Sequence, residues 1–346
     1  MDTYIVVPCL NEAAHLVQTC ASLGFAGTGD AQAHLVLVDN GSEDETLEVM
    51  RSIRNACGPD TVHIVHEPHR GYVPARSAGP RYIAASGVAA SSSPLILQAD
   101  ADTVYLPGYV QQMQQEASRH GRGHVFEAAA VTAAEFRQKY LAFDDLCRTI
   151  DEELSEWFVS EEDEVVVDDK VSGFFLADYF EWGGHFVQRT RSGAELLAET
   201  TRFFISGKQG FGARKIKVRA LALPSRRKLE IQGLAYFASA GFPRGAAWNA
   251  QWSERACGAA ASFMENPHAS PCTPAAIGCR RRHELALFAL LPVLVDARVT
   301  CRPELLALCE GLRASDHASA LERVLELADD EGGVLQRFAD SPHAAH

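Results

Sequence analysis

An alternation over the first hundred residues narrows the fold more than any other feature of this chain. Apolar, β-branched runs occur at 4–7, 34–38, 61–65 and 94–97, and stretches with helical spacing lie between them at 12–23, 43–53 and 74–85. Strand and helix in turn call for a parallel sheet with right-handed crossovers. The expected class is therefore α/β and Rossmann-like. Ligands of such sheets bind outside the carboxyl ends of the strands. Here the first, second and fourth runs are followed by "PCLNE", "DNGSEDE" and "ADADT", so polar residues gather at one sheet edge.

Composition sets the outer bounds. The chain has 346 residues, 47% hydrophobic and 22% charged, which suits one large domain or two. A formal net charge of −13 argues against nucleic acid as a partner, because phosphate backbones need a basic face; a single nucleotide can still be held by local groups. Nine cysteines at irregular spacing, with no CxxC pair, point to reduced thiols and a cytoplasmic location, with a peripheral association with membrane left open. The N-terminus shows no basic leader, and the longest apolar run, 284–297, is short for a membrane span and is broken by Pro292. A buried helix is expected there.

Further along, 107–158 reads as mostly helical, and the acidic stretch "SEEDEVVVDD" (160–169) reads as a mobile, solvated loop. "DKVSGFFLADYFEWGGHF" is apolar and punctuated by glycine, and "KIKVRALALPSRRK" alternates like a strand before a basic cluster. Beyond Gly233 alanine, arginine and leucine dominate, with Pro/Ser-rich patches near 266–275, helices to about 338 and a frayed tail at 340–346. The expected division is 1–232, with halves at about 1–106 and 107–232, followed by a mainly helical extension at 233–346.

Asp100 and Asp102 pose the chemical question. Two like charges one residue apart repel, and on a strand they would point the same way. A divalent cation with oxygen ligands, Mn2+ or Mg2+, removes the repulsion, and such ions take one or two carboxylates and complete their shell from phosphate and water. The alternative is an Asx-turn or helix cap before "VYLPG". "SEDE" (42–45) likewise reads as a capping box of Ser42 and Glu45, with Asp44 favoured by the helix dipole. Asp39, at a strand end, is not covered by that explanation.

"YIVVPCLNEAAHL", "LVLVDNGSEDET", "GYVPARSAG" and "LQADADTVYLPGYV", in this order and spacing, resemble the nucleotide-binding half of a family 2 glycosyltransferase with the GT-A fold. "VSGFFLADYFEWGGHF" is similar to that family's acceptor-side segment, and "LALPSRRK" to the strand that closes its site. The resemblance covers roughly 1–230. It implies a metal-dependent, hexosyltransferase-like enzyme moving a sugar from a nucleotide diphosphate sugar, UDP-linked by expectation, to an acceptor hydroxyl with inversion. The acceptor is open: saccharide, lipid-linked intermediate, natural product or protein. By the same resemblance Pro8 and Glu12 line the nucleoside pocket, Asp39 bonds the base or ribose, and Arg76 organises the strand ends. Asp100 approaches the ribose or metal, Asp102 is the firmer metal ligand, and Arg226 and Arg227 neutralise the diphosphate.

Two departures stand out. The family draws its base from a Glu-Asp pair at the start of a helix, and "LLAETTRFF" offers Glu199 followed by Thr200, which cannot act as a base at neutral pH. Glu199 is the expected base, with Asp178, Glu181 and Glu195 as alternatives. Where some GT-A enzymes place a metal-binding histidine, "LPSRRK" offers Ser225. These departures keep alive a degenerate relative that binds nucleotide sugar without turnover. A nucleotidyltransferase is weaker, since "PCLNEAAHL" supplies no glycine-rich phosphate loop. His63, His66 and His69 fall at i, i+3 on a strand and do not converge on zinc. "GFAGTG" follows a helix instead of a strand, so no dinucleotide fingerprint arises, and no GxSxG elbow occurs. Tyr179 with Trp182, and Trp248 with Trp252, read either as packing or as aromatic contacts for sugar or acceptor.

Overall fold

In the computed structural model, residues 1–27, 32–87, 93–253, 273–314 and 319–340 are described. The tail beyond 340 and most of the Pro/Ser-rich region near 266–275 lie outside them. Two compact units form. The first comprises Met1–Thr132, Val167–Val187 and Glu199–Ser225; the second comprises Ala133–Val166, Gln188–Ala198 and Arg226–His346. This division differs from a contiguous break at 232. Each unit is closed by segments far apart in sequence, which composition along the chain does not reveal.

The first unit is built on β1 (Thr3–Cys9), β2 (His34–Asp39), β3 (Val62–His66), β4 (Leu95–Gln98), β5 (Thr103–Tyr105), β6 (His124–Ala130), β7 (Ser172–Phe175) and β8 (Arg214–Pro224). They make one sheet in the order β3-β2-β1-β4-β7-β6-β8-β5. β1 to β4 pair in parallel, as the alternation requires. β7 then runs antiparallel to β4 and to β6. β1, β2 and β4 are apolar and buried over nearly their whole length, as strands covered on both faces are. β6 corrects the expectation of helix across 107–158. Its "HVFEAAA" is rich in alanine, a helix former, but the strand is paired on both sides and tertiary packing overrides propensity.

The helices α1 (Ala13–Ser22), α2 (Thr46–Cys57), α3 (Tyr72–Ser86) and α4 (Tyr109–His120) fall between strands where the periodicity puts them, and α7 (Leu176–Glu181) and α8 (Glu199–Phe211) belong to the same unit. The capping box does not form. α2 begins at Thr46, four residues after Ser42, and Asp44 does the capping: its Oδ1 accepts from the Thr46 N–H at 2.9 Å and its Oδ2 from the Ala13 N–H at 3.3 Å. Ser42 Oγ accepts instead from the Asn11 N–H at 3.2 Å. α3 lies tight on the sheet. A Cβ at Gly79 would stand 2.4 Å from Val6 Cγ1, so only glycine lets this helix approach β1 so closely. That approach carries Arg76, one turn earlier, to the strand ends.

The second unit is helical, with α5 (Ala134–Lys139), α6 (Leu141–Leu154), α9 (Arg227–Ala238), α10 (Ala246–Gln251) and later helices. Most of 284–295 lies in its interior, where Leu285–Leu290 form a π-helical segment between the helices Pro274–Glu284 and Leu291–Val295. The expected buried helix is thus found. No helix among the described residues is long and apolar enough to cross a membrane. The described cysteines are free thiols.

Candidate active site

The polar edge expected at the carboxyl ends of the strands exists, and its centre is Arg76. This side chain, in the first turns of α3, is 7% exposed. Its Nη2 donates to Asp100 Oδ1 at 2.8 Å, and its Nε donates to Glu199 Oε1 at 2.9 Å. The same Nε lies 3.6 Å from Asp169 Oδ2. One buried cation therefore faces carboxylates from three places: the turn after β4, the N-terminus of α8 (Glu199–Phe211), and the 3-10 turn Asp169–Val171 before β7. Burial works against the Arg76 charge, but Asp169, Asp100 and Glu199 outweigh it and hold the pKa above the ordinary arginine value. Arg76 Nη1 and Asp169 Oδ1 are enclosed and have no hydrogen-bond partner among the described residues.

Glu199 is 3% exposed. Burial first, and the charge of Asp169 second, push its carboxyl up from 4.5 to about 7, with Arg76 opposing. The folded chain keeps this proton between pH 4.5 and about 7 while the unfolded chain loses it. The stability contributed is full below 4.5 and is lost as pH rises to about 7. Glutamine at 199 has no such proton to lose. The melting temperature of E199Q relative to wild type should therefore rise from pH 5 to pH 8, by the equivalent of about 3 kcal/mol at most. A difference that is flat across this range would show that Glu199 titrates normally.

The aspartate pair departs from the strand geometry. β4 ends at Gln98 and the chain turns at Ala101–Asp102, so Asp100 and Asp102 sit in a turn between β4 and β5 and not on a strand. Tyr105 fixes that turn. Its hydroxyl accepts from the Asp100 N–H at 3.0 Å and donates to the Lys170 carbonyl at 2.8 Å. The Asp102 carbonyl accepts from the Ser225 N–H at 3.0 Å, so the residue standing where the family's histidine would be is next to the pair. Among the described residues no group of three His, Cys, Asp or Glu could hold a metal by itself. The donor set fits an ion that takes one or two carboxylates and fills its shell from phosphate and water, and does not fit a closed structural site.

The remaining predicted residues are more dispersed. Pro8 pairs with Val38 near the end of β1, and Glu12 stands at the N-cap position of α1 without a side-chain cap, its N–H donating to Thr46 Oγ1 at 2.7 Å. Asp39 is turned inward. Its Oδ1 accepts from the Ser42 N–H at 3.0 Å and its Oδ2 meets His66 Nδ1 at 2.9 Å. Burial raises its pKa, but these bonds outweigh it and the net direction is down. A local turn therefore does account for Asp39 in part. Arg226 and Arg227 belong to the second unit, at the N-cap and first residue of α9, with the Arg226 guanidinium 5.9 Å from the Phe136 ring centre.

Thr200 is fully buried below the cluster. Gln98 Nε2 donates to its Oγ1 at 3.1 Å and to Ser172 Oγ at 2.9 Å, and His185 Nε2 lies 3.2 Å from the same Oγ1. Burial and the cations Arg76 and Arg202 push His185 down to about 3, so it is neutral. The position that lacks the acid is thus part of an uncharged hydrogen-bonded layer. His63, His66 and His69 bond separately to Tyr82, Asp39 and Glu67. Tyr179 and Trp182 are core residues packed on Phe203. Trp248 donates to Asp329 Oδ1 at 2.8 Å.

The reading of 160–169 as solvated charge missed Asp169. A signal was present: Val165 and Val167, two residues apart in the acidic run, are both buried and anchor the segment.

A charged cluster at the carboxyl ends of parallel strands stands where open α/β sheets bind their ligands. Residues 4–162 match the model of the family described as "Glycosyl transferase family 2". Similar solved structures include TarS 1-349 of S. aureus (14% identity, 94% of this chain and 90% of that chain covered, TM-score 0.46). The mannosyltransferase PcManGT of Pyrobaculum calidifontis, in complex with GDP-Man and Mn2+, is similar at 15% identity over 94% of this chain and 85% of that one, TM-score 0.49. Glucosyl-3-phosphoglycerate synthase of Mycobacterium tuberculosis, with Mg2+ and UDP, is similar at 16% identity over 70% and 81%, TM-score 0.40. No curated protein matches the chain significantly.

Proposed function

We propose that this glycosyltransferase moves a sugar from a nucleotide diphosphate sugar, UDP-linked, to an acceptor hydroxyl with inversion, and that it depends on Mn2+ or Mg2+. The observation that carries the reading is the cluster of Asp100, Asp169 and Glu199 around the buried Arg76, at the edge where the parallel strands end. Three carboxylates against one buried cation leave an excess of negative charge that a bound cation and a transferable proton relieve. Pro8, Glu12 and Asp39, at the ends of β1 and β2, form the nucleoside side, and Asp102 with Asp100 would hold the metal. When bound, that ion stabilises the charge that develops on the leaving diphosphate. Arg76 holds Asp100 in place. The Glu199 carboxyl, buried against Arg76 and raised to about 7, supplies the cluster with a proton at neutral pH. Removal of the acceptor proton frees the oxygen to attack C1 opposite the diphosphate, and one such displacement inverts the anomeric centre.

Calorimetry with UDP, with and without MnCl2, tests this directly. Binding that requires Mn2+ and is lost with EDTA is expected. A panel of nucleotide sugars in a thermal-shift assay should then single out the donor by its larger stabilisation. UDP and GDP without effect at millimolar concentration, with Mn2+ present, would sink the reading.

A further inference from the structure

Position 200 carries no acid, so the acceptor proton needs another destination. We infer that Asp169, from the turn before β7, takes the proton of the acceptor hydroxyl, with Glu199 as the buried positioning residue behind it; this rests on the glycosyltransferase reading above. A general base must come within hydrogen-bond reach of the proton it removes. Glu199 is poorly placed for that, because its side chain is 3% exposed and its Oε1 is engaged by Arg76. The Asp169 side chain is 22% exposed and is linked to the cluster only through its Oδ2, 3.6 Å from Arg76 Nε. Its Oδ1 is enclosed with no partner among the described residues. With Oδ1 enclosed, the exposed part of the side chain leaves Oδ2, 3.6 Å from Arg76 Nε and beyond hydrogen-bond distance of it, as the oxygen that an acceptor hydroxyl can reach.

The segment that delivers Asp169 is held firmly. The Asp168 N–H donates to Glu127 Oε1 at 2.7 Å, the Lys170 carbonyl accepts from Tyr105, and the Val167 N–H donates to Thr201 Oγ1 at 3.0 Å. Preorganisation of this kind is what a catalytic carboxylate requires. The step balances. The acceptor O–H bond breaks and its proton passes to Asp169. The oxygen forms the new bond to C1, and the C1–O bond to the diphosphate breaks with its electron pair leaving on the phosphate. Glu199 supports this through Arg76 and through its own proton, which limits the negative charge beside Asp169.

The test uses the full chain, UDP with MnCl2 as the binding probe, and hydrolysis of the nucleotide sugar giving the largest thermal shift, with water as acceptor. D169N should lower kcat by about 10²–10⁴-fold. Its KM and its affinity for UDP–Mn2+ should stay within about threefold of wild type. D169E, which keeps the carboxylate, should recover about a tenth of the wild-type kcat. E199Q should keep a comparable fraction but shift the acidic limb of the pH–rate profile, which a merely structural role would not do. D169N with more than about a third of wild-type kcat overturns the inference, as does loss of turnover confined to E199Q. If D169N is unstable, D169E decides: turnover no better than about a thousandth of wild type in a folded D169E protein counts against Asp169. Wild-type protein that binds no UDP with Mn2+ removes the site reading itself, and this inference with it.

Discussion

Arg76→Met should destabilise the first unit by about 3–5 kcal/mol, more at pH 8 than at pH 5. Methionine fills the buried volume and keeps α3 packed, so the loss isolates the charge. Without the guanidinium, Asp100, Asp169 and Glu199 lose the buried cation that they share. Each then prefers its proton more strongly in the folded state than in the unfolded one. A raised carboxyl pKa contributes stability only below the unfolded value and loses it as pH climbs, so the penalty deepens from pH 5 to pH 8. Urea melts of both proteins at the two pH values measure it. A loss under about 1 kcal/mol at pH 8, or one indifferent to pH, would mean that Arg76 does not balance this cluster. The same variant should bind donor poorly even where it is folded, because Asp100 loses the bond at 2.8 Å that orients it.

How much of this was legible beforehand varies with the range of the interaction. The alternation placed the first four strands and the helices between them, because period and propensity are local. It also located the edge where Arg76, Asp100 and Glu199 meet, residues separated by 24 and 123 positions. What failed was set by contacts that no window of sequence contains. β6 is a strand because β7 and β8 flank it. The aspartate pair lies in a turn because β5 departs to pair with β8 instead of continuing β4. Asp169 sits in a run of acids whose ordinary fate is solvent, and the bonds of its neighbours Val167, Asp168 and Lys170 to Thr201, Glu127 and Tyr105 hold it beside Arg76. Thr200 read as a gap in the catalytic pattern. In the fold it is a hydroxyl serving Gln98 and His185, and an ionised aspartate at that buried position would face groups arranged for a neutral side chain.

Asp102→Ala should abolish metal-dependent donor binding while leaving the fold as it is. The pairing that holds this turn runs through the backbone, from the Ser225 N–H to the Asp102 carbonyl, and alanine preserves it. The ion pairs of Arg76 go to Asp100, Asp169 and Glu199, and D102A leaves those three carboxylates in place. Asp100→Ala differs on this point, since it removes one partner of a buried cation and should cost stability as well as binding. The two variants together separate ligation from architecture. By calorimetry with UDP and MnCl2, D102A should lose about 100-fold or more in affinity, and EDTA should make no further difference to it. Wild type in EDTA should fall to the same level. Were D102A to bind UDP–Mn2+ within about threefold of wild type, the pair would be a turn and no more, and the metal would have to be held elsewhere.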